Sequence, residues 1–326
     1  MELTRKEAIG YSLAAAFGMV SSGCRTAVAA DESPSYGGRT FAFDHNTACV
    51  FHPMVKEAVK FTVISDSHFT FIDERDDAWR GHAKRAMQWP GKEKDLDAAF
   101  AAAKKHGSEF IPMTGDMFTF PSFANIEFLD RKMKDCGLEC FYIAGNHDWH
   151  YEGVPGTDCE QRAKWIADRM TGLYRGRDPM AYSVVRHGIR CVFVDDSTYI
   201  ITPAQLEFLR TELAKGDPTC LFMHIPIFMR PKSSIYTLAN PAWGEATDDI
   251  WQIERRQPWR KEGPPAEAFA FRELVFSSPN MVAVFTGHEH FLQVGCERGV
   301  PQFLVPCNYG KGLYMNVTIS GCEDHA

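Results

Sequence analysis

The stretch Cys140-Phe141-Tyr142-Ile143-Ala144-Gly145-Asn146-His147-Asp148-Trp149 decides how this chain is read. Its first half is an apolar run of strand length, and it breaks at a glycine. In open α/β folds such a break delivers the next side chains to the carboxyl edge of the sheet, where the chemistry is kept. Those side chains are an amide, an imidazole and a carboxylate in succession: a neutral oxygen ligand, a titratable proton donor and a group able to orient it.

Outward from this stretch the pattern repeats. Lys60-Phe61-Thr62-Val63-Ile64-Ser65 reads as a buried strand ended by Asp66-Ser67-His68, and Glu109 to Met113 as another, ended by Thr114-Gly115-Asp116. Helices are expected over Asp95–Lys104, with Gly107 beyond the end, and from Phe123 to Lys134. Alternating strand and helix imply a mainly parallel sheet built through right-handed crossovers. The rhythm then changes. Ala181–Val185 and Ile189–Val194, joined through His187-Gly188, suggest a hairpin in a second sheet. A helix from Pro203 to Lys215 follows, then Cys220–Met223 with His224. Met281–Phe285 runs into Thr286-Gly287-His288-Glu289-His290, and short strands near Phe303-Leu304 and Leu313–Val317 close the chain.

Five strand ends therefore carry groups able to bind metal: Asp66 with His68, Asp116, Asn146 with His147, His224, and His288 with His290. Alternate residues of an extended segment point the same way, so Asp66-x-His68 and His288-x-His290 can each grip one ion. Carboxylate, amide and imidazole donors suit Mn, Fe, Zn or Co.

In order and spacing, the series Asp66-Ser67-His68, Gly115-Asp116, Gly145-Asn146-His147-Asp148, His224 and Gly287-His288-Glu289-His290 resembles the calcineurin-like metallophosphoesterase superfamily. The resemblance implies a four-layer α/β/β/α sandwich of two mixed sheets with flanking helices, and a dinuclear centre of two divalent metal ions. It further implies that Asp66, His68, Asp116 and His290 hold one ion while Asp116, Asn146, His224 and His288 hold the other. Two ions about 3.5–4 Å apart acidify a shared water and neutralise phosphoryl oxygens. A metal-bridging hydroxide then displaces the alkoxide of a small phosphoester, with His147 as general acid oriented by Asp148.

Departures from sibling groups narrow the substrate. Gly115-Asp116 continues as Met117-Phe118-Thr119-Phe120, unlike the Gly-Asp-x-Val-Asp-Arg-Gly of protein serine/threonine phosphatases. Thr119 stands where purple acid phosphatases have a tyrosine, and too few residues follow His290 for the extra domain of large exported nucleotidases. What remains resembles the compact phosphodiesterase branch. An exported phosphomonoesterase with the same centre is the alternative. Metal amidohydrolases also cluster His and Asp, but their opening His-x-His and lysine or carboxylated bridge are not visible here. His150, Tyr151 and Asn308 are candidate substrate contacts, with Trp149, Tyr309 and Arg230 as further ones.

The remaining features bound the problem. In 326 residues, 45% hydrophobic and 24% charged, there is enough apolar material for a large core. A formal charge of −7 argues against binding nucleic-acid duplexes, although a metal can still draw a small anion to an acidic protein. Arg5-Lys6, an apolar stretch from Ala8 to Val20 and Ala27-Val28-Ala29 read as an export signal over residues 1–30, too short to span a membrane. Export to the periplasm, cell envelope or medium is expected, with Ser22-Gly23-Cys24 offering a lipoprotein alternative. Residues 31–58 read as a lead-in with an edge hairpin, and 59–326 as the catalytic domain. Within it 227–265, rich in proline and tryptophan, reads as a cap over the active edge. Cleavage after Ala29 leaves an odd number of the ten cysteines, so at least one stays unpaired within the chain. None is expected as ligand or nucleophile.

Overall fold

Apolar runs from both halves of the chain fold into two six-stranded sheets. The computed structural model describes residues 39–88, 90–230, 236–242, 252–253, 257–258 and 263–321. The chain divides into two units, Met1–Ser35 and Tyr36–Ala326, and every described residue lies in the second. The expected export segment and Cys24 thus lie outside the described residues, as does most of the expected cap. Among the described residues, no helix is long and apolar enough to cross a membrane.

The first sheet contains β1 (Thr40–Asp44), β2 (Thr47–Phe51), β3 (Val59–Val63), β4 (Phe110–Met113), β5 (Glu139–Tyr142) and β14 (Met315–Ser320). Their spatial order is β1-β2-β14-β3-β4-β5. Strands β3, β4 and β5 are parallel, and the final strand β14 slots in antiparallel to β3. The lead-in hairpin is β1 and β2, and β2 pairs with β14, so the sheet begins at Thr40 rather than at residue 59.

The second sheet contains β6 (Ala181–Arg186), β7 (Ile189–Val194), β8 (Thr219–Phe222), β11 (Met281–Thr286), β12 (Gln293–Glu297) and β13 (Val300–Leu304), in the order β12-β13-β11-β8-β7-β6. Its four inner strands are parallel and both edge strands antiparallel. Two-residue strands β9 (Gln252–Ile253) and β10 (Gln257–Pro258) pair with each other inside the expected cap.

Aromatic rings join the sheets. Tyr182, Phe193, Phe222, Phe285 and Phe303 sit in register on five adjacent strands, with centroids 4.7, 4.8, 5.3 and 5.3 Å apart along the row. Opposite them Phe61, Phe110 and Phe141 form a second row on β3, β4 and β5. Phe61 meets Phe222 and Phe285 edge-on at 5.6 and 5.4 Å, a geometry favoured by the ring quadrupoles. Because side chains alternate along a strand, Val192, Leu221 and Val284 face the other way. There they pack with Leu209 of α4 (Pro203–Ala214) and Phe271 and Val275 of α5 (Ala266–Ser277).

Helices α1 (Glu93–His106) and α2 (Phe123–Asp135) lie between the first-sheet strands in sequence and bury Leu96, Ala99, Ile126 and Leu129. Their ends follow local chemistry. Gly107, at φ 76°, closes α1 in the left-handed conformation, and the Ser122 side chain caps α2 by accepting from Asn125 N. Thr202 and Gln205 form a capping box before α4, with Pro203 in its first turn. Helix α3 (Asp158–Trp165) runs into a π-helical turn, Ile166–Met170, that no sequence signal announced.

Candidate metal centre

Strands β3, β4 and β5 of one sheet and β7, β8 and β11 of the other end at a common edge, and their loops are tied together there. Asp66 N donates to Gly115 O and His68 N to Asp116 O, both at 3.0 Å. Gly287 N donates to His224 O at 2.9 Å, while His288 N donates to Asp66 Oδ2 at 3.0 Å across the two sheets. The stitching demands unusual backbone. Asp66, His68, Asp116, His288 and His290 all have positive φ, between 50° and 74°. Non-glycine residues persist there only when their surroundings over-determine them. Gly145 is needed for another reason: a Cβ at that position would come within 2.2 Å of Asp116 Oδ1.

The seven side chains expected as ligands converge. Ligand atoms of Asp66, His68 and His290 lie within 4.8 Å of one another, and so do those of Asp116, His224 and His288. Asp116 stands between the groups, its Oδ2 3.2 Å from His224 Nε2 and 3.8 Å from His68 Nε2. His68 Nε2 and His290 Nε2 approach to 3.0 Å, and His290 Nε2 is 3.4 Å from Asp66 Oδ1. Asn146 Oδ1 lies 3.0 Å from His224 Nε2. Neighbours set the imidazole faces: His224 Nδ1 meets Thr114 O at 2.7 Å, leaving Nε2 toward Asp116 and Asn146.

Charge at this edge is balanced by its own histidines. Burial alone would raise the Asp116 carboxyl, but His224 and His147 hold it well below the usual range. Burial acts the same way on Asp66 and is outweighed by His290. His68 is pushed down to about 4, chiefly by burial, and stays a neutral lone-pair donor. His224, despite burial, is drawn up to about 10 by Asp116. Two buried carboxylates and a ring of inward-facing imidazoles form a donor set that divalent cations satisfy. The residues fit the expected pair of ions.

His147 is less enclosed than His68 and His224, its side chain 23% exposed, with Nε2 3.9 Å from Asp116 Oδ2. Its backbone N donates to Asp116 Oδ1 at 2.7 Å, so it is fixed to the same carboxylate. Asp148 holds backbone rather than the imidazole it was expected to orient. Its Oδ2 accepts from Gly145 N at 2.8 Å and Asp116 N at 2.9 Å, and its Oδ1 from Phe118 N at 3.0 Å. It thus clamps the Asn146 loop to the Asp116 loop. Burial, then Asp116, raises its carboxyl to about 7.

The expected substrate contacts are drawn into the interior. Tyr151 is fully buried, stacked between Trp79 and Phe120, with its hydroxyl donating to Asp76 at 3.3 Å. Asn308 accepts from Ser67 Oγ and donates to the Asp95 and Leu313 carbonyls, which makes it a loop brace. His150 is buried with its ring edge-on to Trp149, whose Nε1 donates to Ser197 Oγ. A polar or aromatic residue after a reactive motif looks available in sequence, but here the chain turns back and packs. Tyr309 remains half-buried with its ring 6.2 Å from His68, and Arg230 is exposed.

Two supporting residues escaped the sequence reading. Asp196, fully buried, accepts from His224 N at 3.0 Å and Ile225 N at 3.1 Å and so positions the His224 turn. Tyr199 places its hydroxyl 2.7 Å from His288 Nε2. The signal for the first was present, since Ile189–Val194 is another apolar run ending in acids, Asp195-Asp196.

Known proteins agree with this architecture. No curated protein matches the sequence. Among solved structures, a dimetal phosphatase from Danio rerio aligns with a TM-score of 0.51 at 10% identity, covering 77% of this chain and 88% of that one. A purple acid phosphatase from yellow lupin seeds aligns at 0.49 and 10% identity, covering 85% and 57%. At such identity the likeness to the dimetal phosphatase speaks for the fold alone. The profile of the calcineurin-like phosphoesterases matches residues 59–292, which take in every strand end described above. Over most of its length, then, this chain belongs to the calcineurin-like phosphoesterase family of metal-dependent phosphoester hydrolases.

Proposed function

We propose that the protein hydrolyses a phosphodiester, with Asp66, His68, Asp116 and His290 holding one divalent cation and Asp116, Asn146, His224 and His288 the other. The observation that carries the reading is the position of Asp116 between the two donor groups, within 3.2 Å of His224 Nε2 and 3.8 Å of His68 Nε2. When bound, such a pair supplies the charge that polarises phosphoryl oxygens and makes water acidic enough to attack. The protein's own contribution is order. Asp148 and Asp196 hold the loops bearing Asn146 and His224 so that little reorganisation is left for the reaction itself. His147, partly exposed beside Asp116, would donate a proton to the departing alkoxide, the role of a general acid.

Preference for a diester draws support from the space beside the centre. A cavity of about 150 Å³ is lined by Met229, Arg230, Glu289, Phe291, Val294 and Leu304, among others. Glu289 lies between His288 and His290, so the cavity adjoins the ligand loop through that residue, and part of a larger ester could extend toward it. Comparing kcat/KM for bis-p-nitrophenyl phosphate and p-nitrophenyl phosphate tests the preference. A higher value for the diester is expected, and a higher value for the monoester replaces the reading with a phosphomonoesterase sharing the same centre.

A further inference from the structure

At the far end of β5 from the ligand loop, a pair of thiols has no part in this chemistry. Cys136 caps the C-terminus of α2 and Cys140 lies in β5, separated by Gly137 at φ 75° and by Leu138 and Glu139. Both are buried, and their Sγ atoms are 3.5 Å apart. Their other contacts are backbone carbonyls: Cys136 Sγ meets Met133 O at 3.4 Å and Leu138 O at 3.3 Å. Nothing lies between the sulfurs, whose 3.5 Å separation is to be compared with the ~2.05 Å of a disulfide bond. Cys140 also lines a cavity of about 260 Å³ with Leu138, Lys134, Arg175 and Arg177, which opens a way for a small reagent to that thiol.

We propose that Cys136 and Cys140 are a redox modification site that closes to an intrachain disulfide on exchange with a low-molecular-weight disulfide. A protein thiolate attacks one sulfur of the reagent, forming a mixed disulfide and releasing one small thiolate. The second protein thiol loses its proton to solvent, attacks the protein sulfur of the mixed disulfide and expels the second small thiolate. Two protein thiols are oxidised and one small disulfide is reduced to two thiols. Shared hydrogen bonding between the pair favours a single proton on the two sulfurs. Its partner's thiol, ahead of the opposing effect of burial, brings Cys136 down to about 6, and the same contact followed by burial pushes Cys140 up. The contact between the two thiols thus favours the thiolate form that exchange requires. The product ties the end of α2 to the start of β5.

The test equilibrates the full-length protein with oxidised and reduced glutathione, blocks remaining thiols by alkylation, and digests with an endopeptidase specific for glutamate. Cleavage after Glu139 separates the two cysteines, so the disulfide appears as two linked peptides lighter by two hydrogens than the reduced pair. Linked peptides from the wild-type protein, abolished in Cys136→Ser with glutathione or alkyl label then found on Cys140, are expected. Alkyl label or glutathione on both residues, under conditions that put glutathione on the exposed Cys159 and Cys296, would overturn the proposal. The wild-type measurement stands by itself if the variant does not fold. It is also independent of the hydrolytic reading, because it uses no substrate and no metal.

Discussion

Phe222 is the last residue of β8 and His224 follows it by two, yet they belong to regions with opposite requirements. Phe222 is the middle ring of a stacked row and packs there against the rings of Phe193 and Phe285. Each such pair contributes roughly 0.5–1.5 kcal/mol beyond burial. His224 enters an edge where ionised carboxylates are buried, ligand residues take left-handed conformations, and glycine is needed for loops to touch. The row holds the sheets at a fixed spacing, and the edge uses that rigidity to concentrate donors that would otherwise move apart. Order is supplied in one place and spent in the other.

If that division is right, substitutions should separate cleanly. The largest effect is expected from Asp116→Ala, which removes the carboxylate proposed to serve both ions. Its metal content should fall and its rate should drop by more than the ~10⁴-fold that lost proton transfer alone can explain. Elemental analysis beside phosphodiester turnover checks both. His147→Ala should keep its metal and lose about 10²–10⁴-fold in turnover. The loss should be greater for an alkyl leaving group than for p-nitrophenolate, which departs without a proton; an equal loss for both would remove His147 from that role.

Phe222→Ala should leave metal per folded chain unchanged and cost ~3–5 kcal/mol of stability, read from urea denaturation of the loaded protein. Loss of metal without loss of stability would break the proposed division. The smallest effect belongs to Tyr151→Phe. Removing a hydroxyl bonded to Asp76 should cost about 0.5–1.5 kcal/mol and leave kcat/KM unchanged. A changed KM would return Tyr151 to the substrate.

The ligand edge was legible because its rule is local: an apolar run of strand length ends and a polar side chain follows. That rule placed Asp66, Asp116, Asn146, His224 and His288 correctly at strand ends, and it also pointed to Asp196, where it was not applied. What was not legible depends on contacts across the fold. Asp148 looks like a partner for its neighbour His147, yet its bonds reach Asp116 and Phe118 in another loop. Tyr151 and Asn308 look available until loops distant in sequence close over them. The lead-in hairpin joins the sheet only because β14, from the opposite end of the chain, pairs with β2. The facing aromatic rows likewise follow from register between strands, which alternation within one strand does not set.

Anomalous diffraction from crystals grown with manganese tests the central claim most directly. Two peaks about 3.5–4 Å apart are predicted, flanking Asp116, one against His68 and His290 and the other against Asn146 and His224. A single peak, or peaks that leave Asp116 outside coordination distance, would contradict it.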